Sequence, residues 1–223
     1  MKQKRFSLST THVILLSFLT VVLIGSLLLS LPVSSASGEA VPYVDALFTA
    51  TTATCVTGLV TVPTVSAWST FGHVVILILI QIGGLGVITV MTGLTIALQR
   101  KMGLQGRILL QDAFNLNTLS GLVVFVKKVI LGTLLVEGVG AVLYMTVFVP
   151  EFGTRGIWIS VFTSVSAFCN AGIDIIAVDS LCGYALDPMV NFVTCGLIIL
   201  GGIGYTVWWD VIRVIRTRRK QKI

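Results

Sequence analysis

Four apolar stretches set the limits of this fold: His12 to Leu31, Phe71 to Leu98, Val129 to Val149, and Pro188 to about Ile212. Each is long enough to cross, as a helix, the roughly 30 Å hydrocarbon core of a bilayer, which takes about 20 residues. Of the 223 residues, 55% are hydrophobic and only 11% charged, far from the roughly 25% charged of an average soluble domain. A water-soluble fold is excluded and an all-α, multi-pass membrane protein is expected. Two further stretches, about Val44 to Thr54 and Ile157 to Phe168, are rich in Ser, Thr and Ala. They are too short to cross and suit re-entrant helices that stop part-way through the membrane.

Lys2, Lys4 and Arg5 before the first stretch, with Ser34, Ser35 and Ala36 after it, imitate a secretory signal. The apolar core from Val13 to Leu31 exceeds the roughly 7 to 15 residues of a signal h-region, so a retained helix is expected. Four crossings from a cytoplasmic N-terminus put Lys2, Lys4, Arg5, Arg100, Lys101, Arg107, Lys127, Lys128, Arg213, Arg216, Arg218, Arg219, Lys220 and Lys222 inside, and only Arg155 outside. That asymmetry is the positive-inside pattern of a plasma-membrane protein with both termini in the cytoplasm, and it holds only if the two short helices do not cross. The basic excess is then a matter of topology, and no nucleic-acid partner is indicated.

Acids distribute the other way. Glu39, Asp45, Glu151, Asp174, Asp179 and Asp187 fall outside, Asp112 and Asp210 inside, and Glu137 within a span. Negative charge around a pore mouth concentrates cations, the plainer reading being that these loops are simply solvated. Trp68 and Trp158 come at outer boundaries and Trp208 with Trp209 at an inner one, the depths where amphipathic rings settle. Cys55, Cys169, Cys182 and Cys195 show neither C-x-x-C nor metal spacing, and His12 and His73 have no second ligand at helical spacing. Reduced thiols are expected, with no resident metal or other cofactor.

The chain also repeats itself. A shift of 114 residues lays Ala46 to Leu59 (A-L-F-T-A-T-T-A-T-C-V-T-G-L) on Ser160 to Ile173 (S-V-F-T-S-V-S-A-F-C-N-A-G-I), with Phe48/Phe162, Thr49/Thr163, Ala53/Ala167, Cys55/Cys169 and Gly58/Gly172 identical. A shift of 118 brings Gly83-Gly84-Leu85-Gly86 onto Gly201-Gly202-Ile203-Gly204. The expected plan is two helix–pore helix–helix units, 1–98 and 121–212, with a cytoplasmic linker 99–120 between them and a basic tail 213–223. Both units run the same way through the membrane, as parallel repeats about an axis along its normal. This gives four transmembrane helices and two re-entrant pore helices.

A helix that stops inside the membrane leaves its last carbonyls unpartnered and aims the negative end of its dipole at what lies beyond. A cation satisfies both. The extended segment that follows cannot face lipid with bare backbone groups, so it lines a wet, protein-walled space in which its carbonyls replace an ion's water. Gly58 and Gly172 suit such a turn, because glycine reaches positive φ and lets the backbone approach an axis closely. The candidate ion-binding residues are Cys55, Val56, Thr57 and Gly58 in the first copy and Cys169, Asn170, Ala171 and Gly172 in the second.

Ala50 to Leu59 (A-T-T-A-T-C-V-T-G-L), Gln81 to Gly86 (Q-I-G-G-L-G), Ser166 to Ile173 (S-A-F-C-N-A-G-I) and Gly201 to Thr206 (G-G-I-G-Y-T) resemble the Trk/Ktr/HKT superfamily of potassium transporters, most nearly its KtrB membrane subunits. The resemblance covers nearly the whole chain, in order. It implies potassium transport, often sodium-linked, through four such repeats around one axis, each giving one filter strand with a single glycine. It also implies, for the Ktr type, dimers of four-repeat chains on a cytosolic ring of nucleotide-binding regulatory subunits. This chain has two repeats where the family has four. Two strands do not surround an ion, so either two copies pair, or the chain is half of a split or truncated transporter that needs a complementary half and does not conduct alone.

Other readings fit less well. Two-pore-domain channels carry T-x-G-Y-G filters, which neither Thr57-Gly58-Leu59 nor Ala171-Gly172-Ile173 matches. Catalysis needs convergent acids, histidines or a nucleophile–base pair, and none is visible. The Gly-Gly-x-Gly clusters are expected to serve close helix packing rather than a hinge. Glu137 is expected to hydrogen-bond a neighbouring helix, Asp45 to cap the first pore helix, and Lys127 and Lys128 to snorkel at the inner interface.

Overall fold

The apolar stretches fold as helices of unequal length, and the Ser-, Thr- and Ala-rich ones as the shorter helices between them. The computed structural model describes residues 10–86, 89–90, 108, 122–205, 207–208, 211 and 214. Of the expected linker and tail it describes only Ile108 and Val214. Lys2, Lys4, Arg5, Arg100, Lys101, Arg107, Asp112, Trp209, Asp210, Arg213 and the tail's other basic residues lie outside the described residues. Among those described, the α-helices are α1 (Thr10–Leu29), α2 (Tyr43–Thr54), α3 (Thr64–Ala67), α4 (Thr70–Leu85), α5 (Leu122–Phe152), α6 (Thr154–Phe168) and α7 (Pro188–Ile203), with 3₁₀ turns at Pro32–Ser34 and Ser180–Tyr184. A single antiparallel bridge, Ser35 with Trp68, is the β pairing among them.

Two of these helices, α1 and α5, are by themselves long and apolar enough to cross a bilayer. Their outward faces carry Leu15, Leu19, Leu23 and Leu27 on α1 and Leu131, Leu135, Val139 and Val142 on α5, all exposed, as suits lipid-facing positions. Between them α2 and α6 occupy the centre. On α2 the small residues Ala46, Ala50 and Ala53 are fully buried, and on α6 so are Ile159 and Phe162, with Ser160, Thr163, Ser164 and Ser166 buried beside them. Ser160 donates back to the Gly156 carbonyl at 2.7 Å, the usual way a hydroxyl is satisfied inside a helix.

Helix α4 is shorter than its apolar stretch. The stretch suggests an unbroken helix from Phe71 to Leu98, but α4 ends at Leu85, and Gly86 follows at φ 81°, ψ 133°. Likewise α7 ends at Ile203 with Gly204 at φ 87°, ψ 146°. Sixteen residues rise about 24 Å, short of the roughly 30 Å core. Residues 89–90 and 205 are helical again beyond each break. The third glycine of each cluster is thus a helix terminator, because its positive φ is one that L side chains rarely adopt.

Gly83, Gly84 and Gly201 do serve packing, whereas Gly202 has room for a Cβ. A Cβ on Gly83 would run into the Thr54 carbonyl, and one on Gly201 into that of Phe168. The same correspondence appears higher up. A Cβ on Gly25 of α1 would meet Leu79 at 2.8 Å and Ala50 at 3.4 Å, and one on Gly140 of α5 would meet Ser164 at 2.5 Å and Leu197 at 2.8 Å.

Helix starts are specified locally. Ser69 caps α4, accepting from Gly72 N at 3.2 Å, and Asp187 caps α7, accepting from Val190 N at 3.0 Å with Pro188 in the first turn. Asp45 does not cap α2: the N-cap is Pro42, and Asp45 sits inside the first turn, where it only complements the helix dipole. Trp68 departs from its expected place too. It is 2% exposed, part of the core rather than an interfacial ring, because the Ser35 bridge and the Ser69 N to Ser34 O bond of 2.9 Å hold the connection between α1 and α2 against it. Lys127 and Lys128 are exposed.

Candidate functional site

Helices α2 and α6 end in the same way. Cys55 N bonds Thr51 O at 2.8 Å and Cys169 N bonds Val165 O at 2.9 Å; Thr57 N then reaches back to Thr52 O at 3.0 Å, and Ala171 N to Ser166 O at 2.8 Å. Between those bonds the chain turns into the left-handed region at Val56 (φ 49°) and Asn170 (φ 59°), and again at Gly58 (φ 79°) and Gly172 (φ 68°). Asn tolerates that region, whereas for a β-branched Val it is an outlier that the surrounding structure must hold in place.

The two turns lie side by side. A Cβ on Gly58 would come within 2.7 Å of the Ala171 carbonyl oxygen and 3.5 Å of the Gly172 Cα, so a larger residue is strained there both by conformation and by space. No backbone carbonyl from Cys55 to Gly58 or from Cys169 to Gly172 accepts a hydrogen bond from the described residues. The expected site residues are therefore brought together as two adjacent, carbonyl-bearing turns at the ends of two central helices. Such an arrangement can coordinate a cation through main-chain oxygens.

Side chains behind the turns differ between the copies. Thr52 and Thr57 share a hydroxyl–hydroxyl bond of 2.5 Å in the first. In the second, Ser166 Oγ accepts from Ile173 N at 3.0 Å. Cys55 is exposed and Cys169 buried, both as free thiols. A cavity of about 220 Å³ opens beside the second turn, lined in part by Thr163, Ser166, Asn170, Gly172, Asp174 and Thr194. The Thr163 hydroxyl is buried there with no hydrogen-bond partner among the described residues.

Gln81 and Glu137 join the second turn from behind. Gln81 Nε2 donates to both Glu137 carboxylate oxygens, at 3.1 and 3.3 Å, the bond to a neighbouring helix expected of Glu137. Gln81 has no role that its sequence position alone reveals. The available signal was an amide within an apolar span, where a polar side chain seeks a partner.

Several outer acids are engaged locally. Asp174 accepts from Ile176 N at 3.1 Å and from the Ser180 hydroxyl, while Asp187 caps α7. Glu151 accepts from the Tyr184 hydroxyl at 2.6 Å. Partial burial, then that bond and the charges of Glu151 and Asp187, push the Tyr184 pKa up. His73 Nε2 is 2.9 Å from the Thr64 carbonyl, a structural bond that ties α4 to the start of α3.

Comparison with known proteins identifies the family. The sequence model of the TrkH family, described as a cation transport protein, matches residues 2–223. The chain is 39% identical to the potassium/sodium uptake protein NtpJ of Enterococcus hirae over 98% of its own length and 48% of that protein. It is 41% identical to the Ktr system potassium uptake protein B of Bacillus subtilis, over 91% of its own length and 45% of that protein. To the protein of that name in Vibrio alginolyticus it is 40% identical, over 91% and 44%. The chain thus spans about half the length of the curated relatives it matches. With its matched apolar helices, glycine clusters and helix-ending turns, this membrane protein belongs to the TrkH family of cation transport proteins.

Proposed function

We propose that the chain is a potassium uptake subunit in which Cys55–Gly58 and Cys169–Gly172 are selectivity-filter strands that bind the ion through main-chain oxygens. One observation carries this: two helix-ending turns of the same backbone form stand side by side, their carbonyls free of hydrogen bonds from the described residues. The names of the matched relatives, potassium/sodium uptake and potassium uptake, support the choice of ion. Sodium linkage follows from the same similarity.

The reading includes the two-unit plan. Residues 1–98 form one helix–pore helix–helix unit and 121–212 a parallel second one, with α2 and α6 as re-entrant pore helices, the linker 99–120 and tail 213–223 cytoplasmic, and both termini inside. Support comes from the recurrence of Gly25, Ala50, Leu79 and Gly83 contacts at Gly140, Ser164, Leu197 and Gly201. The basic linker and tail then face the side on which a cytosolic nucleotide-binding regulatory ring would dock.

Two strands enclose an ion only from one side, so four are supplied by pairing of copies or by a complementary half. In the second arrangement the chain is silent alone.

Rubidium uptake by cells that lack their own potassium systems tests the proposal. Cells expressing the chain, or the chain with the half its relatives carry in addition, take up rubidium in competition with potassium more than with sodium. Gly58→Ser and Gly172→Ser each reduce uptake to background at equal protein in the membrane. Uptake indifferent to both substitutions contradicts the filter assignment, and uptake that appears only with the added half selects the split arrangement.

A further inference from the structure

Glu137 lies mid-way along α5 and is only 5% exposed. Its carboxylate is held from two directions: the Gln81 amide of α4 donates to both oxygens at 3.1 and 3.3 Å, and the Cys169 thiol at the end of α6 donates to Oε1 at 3.9 Å. The Glu137 main-chain carbonyl accepts from Ser164 Oγ at 2.7 Å, which fixes α5 against the last turns of α6. Room for the Cys169 side chain is made by Gly84, where a Cβ would overlap the sulfur. Glu137 and Gly84 thus meet the first residue of one turn, and Gln81 and Ser164 hold Glu137 in place.

Among the described residues, no such carboxylate–amide pair stands behind the other turn. Gly25 and Gly140 make matching contacts, so Glu137, three residues before Gly140, corresponds to Val22 on α1. The residue matching Gln81 in the second unit is Ile199. Cys55 is accordingly exposed where Cys169 is buried. The support is built once, across the boundary between the two units.

We propose that Glu137, tied to Gln81, is a positioning residue that holds Cys169 and with it the Cys169–Gly172 turn, so that the two turns are supported unequally. The proposal rests on the reading of these turns as cation-binding strands. A buried carboxylate with a paired donor is a rigid support, since every partner that leaves it strands a polar group in an apolar setting.

Thiol labelling tests it on the full chain in membranes. With Cys182→Ser and Cys195→Ser as background, N-ethylmaleimide modification of Cys55 and Cys169 is followed by peptide mass spectrometry. Cys55 reacts fast and Cys169 slowly in the parent. Glu137→Leu and Gln81→Leu each speed Cys169 by about tenfold, the change expected on losing one such contact, and leave Cys55 unchanged. Glu137→Asp keeps the slow rate, and Leu134→Ala, at an exposed place on the same helix, alters neither thiol. Cys169 unchanged in both variants, or both thiols accelerated together as a general loosening, overturns the proposal. A filter assignment that fails does so by a separate signature, in which Gly58→Ser and Gly172→Ser leave rubidium uptake intact whatever Cys169 does, and the positioning role then has no transport consequence.

Discussion

At the scale of single residues, the glycines divide by what a Cβ would meet. Gly201 faces the Phe168 carbonyl with no room for a methyl, so Gly201→Ala is expected to cost about 1–3 kcal/mol by overpacking. Gly138 on α5 has nothing within 4 Å, and Gly138→Ala is expected to be neutral or to stabilise by up to about 1 kcal/mol through helix propensity. Thermal unfolding of both variants in detergent checks the pair, and equal losses would contradict the packing assigned to Gly201. Sequence showed that Gly58 and Gly172 occupy equivalent places, because a duplicated Cys-x-x-Gly after a Ser/Thr-rich stretch is a pattern. It did not show that Val56 shares the left-handed turn of Asn170, because Val has no propensity for it and only the fold imposes it.

At the scale of elements, α2 and α6 were legible to within a few residues, since composition changes sharply at both ends of each. The long helices were legible in existence and wrong in extent. An apolar run does not report where Gly86 and Gly204 take positive φ, as the residues on either side remain equally suited to a helix in lipid. Caps were not legible: Asp45, expected to cap α2, lies inside it behind a Pro42 cap, and Asp187, given no such role from sequence, caps α7. The two acids should therefore differ on substitution. Asp187→Ala loses a side-chain bond to Val190 N and is expected to cost about 0.5–2 kcal/mol. Asp45→Ala loses only a dipole interaction, about 0.3–1 kcal/mol, and that smaller loss shrinks with added salt. Unfolding midpoints at low and high ionic strength distinguish them, and an Asp45 effect as large as that of Asp187 and insensitive to salt would contradict the assignment.

At the scale of the whole molecule, the central claim is that two matched units present their turns to one cation. Family membership and the helical membrane architecture follow from sequence because patterns of apolar length and glycine spacing are local. The support that Gln81 and Glu137 give the second turn was not legible, because it joins residues 56 positions apart across two units. The most direct measurement is to locate thallous ion, a heavy surrogate for potassium, by its anomalous scattering in crystals of the assembled protein. A peak is expected between Cys55–Gly58 and Cys169–Gly172, coordinated by main-chain oxygens and lost when sodium replaces the ion. A peak confined to Glu137 or to the outer acids, with none between the two turns, would contradict it.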